Sequence, residues 1–221
     1  MIYLSMLRLN LRSRQALSEL RNPYEMHRTL SRGFGQAQDY ANARCLYRVD
    51  ALPGDAMPIV LVQSLCEPDW QPLEELNGYL CCAAQKKAFQ PTLAVGQTLS
   101  FRLRANPTVC RDGRRQSLWE PRPVGESVTE QEERLKRVEA SHDAWMQRKA
   151  EAAGFEVLRC DLLRDDPVSF GTKSGQQTTL NAVRYDGQLR VTDAERLHYA
   201  IEHGIGSAKG FGFGLLSLAR A

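Results

Sequence analysis

A phenol, an imidazole and guanidinium groups share one face of a helix that the sequence predicts over residues 22–33. At about 100° per residue, this face carries Tyr24, His27, Arg28 and Ser31, with Arg32 at its edge. Metal-free cleavage of an RNA phosphodiester needs such groups: an acid or base titrating near neutrality, cations for the phosphorane charge, and a hydrogen-bond donor. The alternative is that His27 is an ordinary surface histidine.

The start of this helix is well marked in the sequence. Asn22 is a preferred N-cap, Pro23 fits the first helical position, and Glu25 stands where a capping box places an acid. The face opposite the polar one carries the apolar side chains Met26, Leu30 and Phe34. We therefore expect the apolar face to pack on a sheet and the polar face to remain accessible.

A glycine-rich run over residues 204–214 is the second candidate element. It contains Gly204, Gly206, Gly210, Gly212 and Gly214, with Lys209 near its centre. Such a backbone can approach a ligand closely and point N–H groups at an anion. The run lacks the Gly-Lys-Ser/Thr of a P-loop and precedes a strand rather than a helix, so a nucleotide fingerprint is excluded. A tight helix-to-strand connection is the alternative.

Positive charge is clustered, although the net charge of the chain is only +3. Residues 1–32 carry six arginines against two glutamates, and residues 101–122 carry six arginines against Asp112 and Glu120. Arginine outnumbers lysine 23 to 6, and its planar fork suits phosphate oxygens. A GC-rich genome would raise the arginine count everywhere, whereas clustering favours an anionic partner.

Composition excludes several classes of protein. The 221 residues, 43% of them hydrophobic, can bury the core of one large domain or two smaller ones. No stretch approaches the roughly 20 apolar residues of a membrane span, and no signal peptide opens the sequence. The six cysteines lack zinc spacing, so we expect free thiols, a cytoplasmic location, and no metal, cofactor or membrane. A structural role is expected for His142 and His203.

The order of predicted elements repeats in two halves, which indicates an α+β fold of two tandem ferredoxin-like (βαββαβ) domains. The first half, residues 1–90, has strands near 2–9, 43–49, 58–65 and 86–90 and helices over 22–33 and 70–77. Residues 91–97 are expected to be a linker. The second half, residues 98–221, has strands over 98–106, 155–164, 176–185, 188–192 and 215–219 and helices over 129–153 and 193–203.

Two features of the second half carry further expectations. Asp186-Gly187 is predicted to be the turn of a hairpin, and the polar residues 111–128 are predicted to be a flexible insertion. In the first strand, Arg102 and Arg104 alternate with Phe101 and Leu103, so the arginines should share the outer face. There they could contact phosphates or, alternatively, pair with acidic residues of the other domain.

Four sequence blocks together resemble the CasE family, the endoribonucleases of type I-E CRISPR Cascade. The blocks cover residues 22–31, 101–107, 144–149 and 204–218, and the similarity spans nearly the whole chain. The glycine run alone indicates only the wider superfamily of repeat-associated RNA-binding proteins. The resemblance implies tandem ferredoxin-like domains that recognise the stem-loop of each CRISPR repeat and then remain bound to the product as a Cascade subunit.

The resemblance also implies the chemistry and the residues that perform it. The RNA would be cut at the 3′ base of the hairpin without metal, leaving a 2′,3′-cyclic phosphate and a 5′-hydroxyl. The implied catalytic residues are Tyr24, His27 and Arg32. A basic hairpin around Lys173 to Arg184 would enter the RNA groove, although Gln176-Gln177-Thr178-Thr179 make it weakly basic here. The expected RNA-binding residues are Arg28, Arg102, Arg104, Arg114, Arg115, Lys173, Arg184 and Lys209.

Two other classes of function remain open at the level of sequence. One is a non-catalytic scaffold that binds an RNA hairpin, and a single cleavage assay would separate it from an enzyme. The other is a small-molecule phosphate enzyme that uses the glycine run, whereas two arginine-rich segments fit an extended polyanion better. The isolated protein is expected to be a monomer.

Overall fold

Two four-stranded antiparallel sheets organise the chain. The computed structural model describes residues 1–35, 41–51, 57–118, 120, 122–165, 167–171 and 177–221. The strands are β1 Ile2–Arg8, β2 Leu46–Ala51, β3 Pro58–Ser64, β4 Gln85–Phe89, β5 Thr98–Ala105, β6 Thr108–Arg111, β7 Arg114–Ser117, β8 Phe155–Arg164, β9 Val168–Gly171, β10 Gln177–Leu180, β11 Val183–Val191 and β12 Leu216–Arg220. The helices are α1 Arg14–Arg21, α2 Pro23–Ser31, α3 Gln71–Glu74, α4 Val128–Ala152 and α5 Ala194–His203.

Both sheets have the strand order of a ferredoxin-like domain. The order is β2-β3-β1-β4 in the first sheet and β12-β5-β11-β8 in the second. The predicted fold of two tandem ferredoxin-like domains is therefore confirmed. The division into units 1–90 and 98–221 with a linker over 91–97 stays a prediction.

The first core lies between the first sheet and helix α2. Alternate residues of its strands, including Leu7, Val60 and Val62, are buried against Met26 and Leu30 of the helix. The side chain of Phe34 joins this core from the short 3-10 turn Arg32–Phe34 that follows the helix. The predicted apolar face of the helix is confirmed.

The second core lies between the second sheet and helices α4 and α5. Phe101 and Leu103 of β5 point into it and are almost fully buried, as their alternation with arginines predicts. Trp145 of α4 stacks on Tyr185 of β11, with ring centroids 5.6 Å apart. His142 of α4 is 2% exposed and lies 2.9 Å from the Tyr185 hydroxyl, so it is a core histidine.

The prediction of a hairpin turn at Asp186-Gly187 is wrong. Strand β11 runs straight through both residues and pairs with β5 on one side and β8 on the other. A Cβ atom on Gly187 would lie 2.0 Å from the carbonyl oxygen of Arg159, next to a register shift in the β8 pairing. The glycine therefore permits close backbone approach inside a central strand rather than a turn. Its neighbour Asp186 instead binds Arg102 across the sheet.

The prediction of a flexible insertion over residues 111–128 is also wrong for the first part of that range. Strands β6 and β7 pair antiparallel across Asp112-Gly113, with Arg111 opposite Arg114. The φ angles of Asp112 and Gly113 are +51° and +72°, as a two-residue hairpin turn of the primed type requires. This second Asp-Gly pair is the real hairpin turn, and it presents Arg114 and Arg115 on exposed strand β7.

Several helix boundaries differ from the prediction. Helix α1 precedes α2 and was not predicted, although Ser13 caps it by accepting a hydrogen bond from the Ala16 N–H at 3.3 Å. Helix α3 is a single turn rather than the predicted 70–77. The long helix α4 agrees with its predicted range and begins with a full capping box between Ser127 and Glu130. No helix in the described part of the chain could cross a membrane.

Two buried polar side chains of the first domain bind backbone carbonyls of the second. The guanidinium of Arg48 is 3% exposed and donates to the carbonyls of Arg102 and Leu215 at 3.4 and 3.3 Å. Gln63 donates to the Ile201 carbonyl at 2.6 Å. Because an unpaired buried donor is costly, these bonds fix how the two sheets face each other. The relative position of the domains in turn decides what lies beside helix α2.

Candidate active site

Helix α2 begins as the sequence predicts, with one difference. The Asn22 side chain caps it by accepting a hydrogen bond from the Tyr24 N–H at 3.2 Å, and Pro23 occupies the first turn. Glu25 does not complete a capping box, because it pairs with Arg28 one turn later at 2.8 Å. Exposed pairs of this kind contribute little to stability. The N-cap and the proline therefore set where the helix starts.

A buried carboxylate holds α2 against the first domain. Glu19 of α1 accepts hydrogen bonds from the Thr29 hydroxyl at 2.7 Å and from the Tyr79 hydroxyl at 2.5 Å. Burial, followed by the bond to Glu19, raises the pKa of Tyr79 far above its usual value. No local sequence pattern indicates this network, because a glutamate on a short polar helix looks like any exposed residue.

His27 lies between α2 and the glycine-rich run of the second domain. A Cβ atom placed on Gly210 would be 3.3 Å from the imidazole Cε1 and 3.4 Å from Nδ1, so the backbone of the run passes directly beside the ring. The ring of Phe211 is 6.4 Å away between centroids. A side chain at this position would require the ring or the run to shift by a few tenths of an ångström.

The pKa of His27 is lowered from its usual value of 6.5. Burial is the main cause, and a hydrogen bond with the Gly210 backbone opposes it. A lowered pKa keeps the imidazole neutral at physiological pH, which is the form that can accept a proton. The environment of His27 therefore differs from that of a freely exposed histidine.

Tyr24 lies on the same side of the helix as His27. It packs against a cluster formed by Phe170, Phe213 and neighbouring residues of the second domain, which Phe211 also contacts. Phe211 therefore packs on the same cluster as Tyr24 and also lies beside the ring of His27. The structure brings together Tyr24, His27 and the glycine-rich run from separate parts of the sequence.

Arg28 lies on α2 and Arg32 lies at its C-terminal end, and both side chains are exposed. The charge of Arg32 acts on Tyr79 of the first domain, where it lowers the tyrosine pKa against the larger opposing effects. Neither arginine has a described contact with His27. Their guanidinium groups would face a polyanion that lies along the polar side of the helix.

The glycine-rich run wraps around the free edge of the first sheet. A Cβ atom on Gly204 would lie 2.9 Å from a methyl group of Leu46, and one on Gly212 would lie 3.1 Å from the ring of Tyr47. Leu46 and Tyr47 are neighbours in edge strand β2 and point to opposite faces. Tyr47 also donates to the Pro23 carbonyl at 3.1 Å, so it links the run to the start of α2. Sequence reasoning missed Tyr47.

The arginines predicted on the outer face of the second sheet form ion pairs within their own domain. Arg102 binds Asp186 through two hydrogen bonds of 2.8 and 2.9 Å. Arg184 lies 3.2 Å from the same carboxylate. Arg104 binds Asp165 at 2.9 Å and stacks over Phe213 at 4.7 Å. The alternative of ion pairs with acids of the other domain is therefore not the arrangement seen, and RNA contacts by these arginines stay a prediction.

The remaining predicted RNA-binding residues fall into three groups. Arg114 and Arg115 are exposed on hairpin β6–β7, and Lys209 is half-buried in the glycine-rich run. Lys173 lies outside the described residues. Hairpin β9–β10 occupies the position predicted for the basic hairpin, but β10 itself carries only uncharged side chains.

A cleft of about 610 Å³ opens between α2 and the second domain. Its lining includes Pro23 and Met26 of α2, Tyr47, Arg104 and Phe211. Among the described residues, no group of His, Cys, Asp and Glu side chains has the arrangement of a metal site.

The sequence matches CRISPR-associated proteins along nearly its whole length. A family model described as "CRISPR associated protein" matches residues 2–220. The CRISPR-associated endoribonuclease Cse3 of Thermus thermophilus is 36% identical, over 99% of this chain and 100% of that protein. The Cascade subunit CasE of Escherichia coli K12 is 30% identical, over 90% of this chain and 92% of that protein. This chain belongs to the CasE family.

The fold agrees with that of a CasE-family protein solved with nucleic acid. A structure of the CRISPR endoribonuclease Cse3 bound to a 19-nucleotide RNA has 36% sequence identity to this chain. The two superpose with a TM-score of 0.81 over 99% of each chain. The resemblance inferred from the four sequence blocks is confirmed.

The environment of His27 can be tested by titration. We expect NMR of the imidazole resonance to give a pKa below 6.5 in the folded protein, because burial disfavours the charged ring. As the pH falls, His27 would then bind a proton at a higher pH in the unfolded state than in the folded state. The contribution of His27 to stability is therefore present above about pH 6.5 and is lost as the pH falls through the folded-state pKa.

The His27→Ala variant assigns the resonance, and the protein in denaturant provides the reference value. A folded-state pKa at or above the reference would show that the glycine-rich run does not bury the ring.

Proposed function

We propose that this CasE-family chain is a metal-independent CRISPR repeat endoribonuclease. It binds the repeat stem-loop, cuts precursor crRNA at the 3′ base of the hairpin, and stays bound to the product as a Cascade subunit. The observation that carries the proposal is the half-buried, neutral His27 held beside the glycine-rich run and next to Tyr24. The names of the relatives support it, since one is an endoribonuclease and another is a Cascade subunit.

The reaction is a transesterification within the RNA. The 2′-oxygen attacks the adjacent phosphorus and loses its proton to a base, while the bond from phosphorus to the 5′-oxygen breaks and that oxygen gains a proton. The products are a 2′,3′-cyclic phosphate and a 5′-hydroxyl, so no water is consumed. His27 supplies one of the two proton transfers, and Tyr24 orients the reacting groups.

Charge stabilisation would come from the arginines on the polar face of α2. The phosphorane carries more negative charge than the starting diester, so a cation that binds it preferentially lowers the barrier. Arg32 is assigned this role because its side chain is exposed and has no ion pair with another described residue. No metal is needed for either proton transfer.

A scaffold that binds the hairpin without cutting it is the competing function. Such a protein would need the cations but would gain nothing from a histidine kept neutral by burial. A cleavage assay distinguishes the two functions, whereas a binding assay does not.

The His27→Ala variant tests the proposed catalytic residue. We expect the single-turnover rate to fall by about 10²- to 10⁴-fold, because one acid–base group is removed. Affinity for the uncut hairpin should stay within a few-fold, since binding depends on many phosphate contacts. Quenched-flow cleavage and filter binding measure the two quantities.

The matched control is His198→Ala, which removes an imidazole from helix α5 that pairs with Glu202. It should cut at the wild-type rate. A His27→Ala protein that also cuts at that rate would overturn the assignment.

A substrate with 2′-deoxyribose immediately 5′ of the scissile phosphate tests the nucleophile. This change deletes the attacking oxygen, so the RNA should bind normally and remain uncut. Denaturing gels and filter binding on the same preparation provide both readings.

The unmodified hairpin serves as the control and should be cut in excess EDTA, since the mechanism uses no metal. Cleavage of the deoxy substrate would mean that external water attacks, and loss of all cutting in EDTA would mean that a metal takes part in the chemistry.

A further inference from the structure

A second pocket adjoins the glycine-rich run. The run contributes Phe211 to the cleft beside α2 and residues 206–209 to this pocket, which has a volume of about 510 Å³. Hairpin β6–β7 and helix α4 form its remaining walls. None of the residues that line it is acidic.

Three cations from three separate segments meet at this pocket. They are Arg115 of hairpin β6–β7, Lys149 of helix α4 and Lys209 of the run. None of the three forms an ion pair with another residue in the described part of the chain, although Lys149 lies over the ring of Trp145 at 5.9 Å. Burial lowers the pKa of Lys209, and repulsion from Lys149 and Arg44 lowers it further. An anion would relieve this repulsion, because it replaces like-charge contacts with opposite-charge ones.

The backbone of the run offers hydrogen-bond donors at the same place. Gly206 and Ala208 have φ angles of +92° and +60°, and alternation of this kind makes a concave row of N–H groups. Within the described residues, no backbone carbonyl accepts a hydrogen bond from the N–H groups of Gly206, Ser207 or Ala208. The Ser207 hydroxyl donates to the Asn106 carbonyl at 3.1 Å and holds the run in position.

We propose that this pocket binds a backbone phosphate of the RNA, with Lys149 as its principal cation. The proposal rests on the proposed function, since it names a phosphate of the same substrate. Lys209 directly precedes Gly210, which touches His27, and consecutive Cα atoms are about 3.8 Å apart. One RNA strand can therefore reach the pocket and His27 together, so the bound phosphate lies close along the chain to the scissile one.

The Lys149→Gln variant tests the pocket, with Lys136→Gln as its matched control. Lys136 is exposed on the same helix and about 20 Å away at 1.5 Å per residue. We expect Lys149→Gln to weaken hairpin binding about tenfold at low salt, because a charge-assisted contact is lost. The slope of log affinity against log salt should fall by about 0.7 to 0.9. Lys136→Gln should match wild type in both.

A methylphosphonate scan identifies the phosphate. Each substitution neutralises one phosphate, and at one position the affinities of wild type and Lys149→Gln should become equal. Non-additivity confined to one position near the cut supports the proposal. Equal affinities and salt slopes for Lys149→Gln and Lys136→Gln would overturn the proposal. A scan in which the loss from Lys149→Gln adds to the loss from neutralising a phosphate at every position would also overturn it.

Titration with inorganic phosphate, followed by Trp145 fluorescence, tests whether the pocket binds free phosphate instead of an RNA phosphate. A response to free phosphate that Lys149→Gln abolishes, together with unchanged RNA binding by that variant, would mean that the pocket serves a small anion and would overturn the proposal. Binding and cutting of the hairpin by the wild-type protein report on the proposed function independently of this comparison.

Discussion

The approach of one glycine to one histidine across a domain boundary is the constraint on which the site depends. Gly210 of the second domain passes within van der Waals contact of His27 in the first. Burial lowers the pKa of this imidazole, although the hydrogen bond with the Gly210 backbone opposes the shift. The contact exists only because the glycine-rich run crosses the free edge of strand β2, where Leu46 and Tyr47 contact Gly204 and Gly212. The run thereby also covers an edge that would otherwise be open to pairing.

Polar groups buried far from the chemistry hold this arrangement. Arg48 and Gln63 bind carbonyls of the second domain, and Glu19 fixes α2 to the first. The outer arginines of the second sheet are already paired with carboxylates, so they contribute less free charge than their number implies. Arg115, Lys149 and Lys209 beside the glycine-rich run, by contrast, have no ion pair with another described residue.

The sequence predicted what depends on local rules and missed what depends on the tertiary fold. Asn22 and Pro23 mark the start of α2 because capping is decided within a few residues. The two Asp-Gly pairs show the limit of such rules. At 112–113 the chain turns back so that β6 pairs with β7, whereas at 186–187 pairing with β5 on one side and β8 on the other keeps the strand extended. Likewise nothing local shows that Glu19 is buried or that Tyr47 meets Gly212.

The Gly210→Ala variant tests the central claim most directly. Its methyl group would lie 3.3 Å from the imidazole, so the ring or the run must shift by a few tenths of an ångström. The account predicts that the cleavage rate at saturating hairpin falls at least about tenfold. Melting temperature and hairpin affinity should stay near those of the wild-type protein. A Gly210→Ala protein that cuts as fast as the wild-type protein would contradict the account.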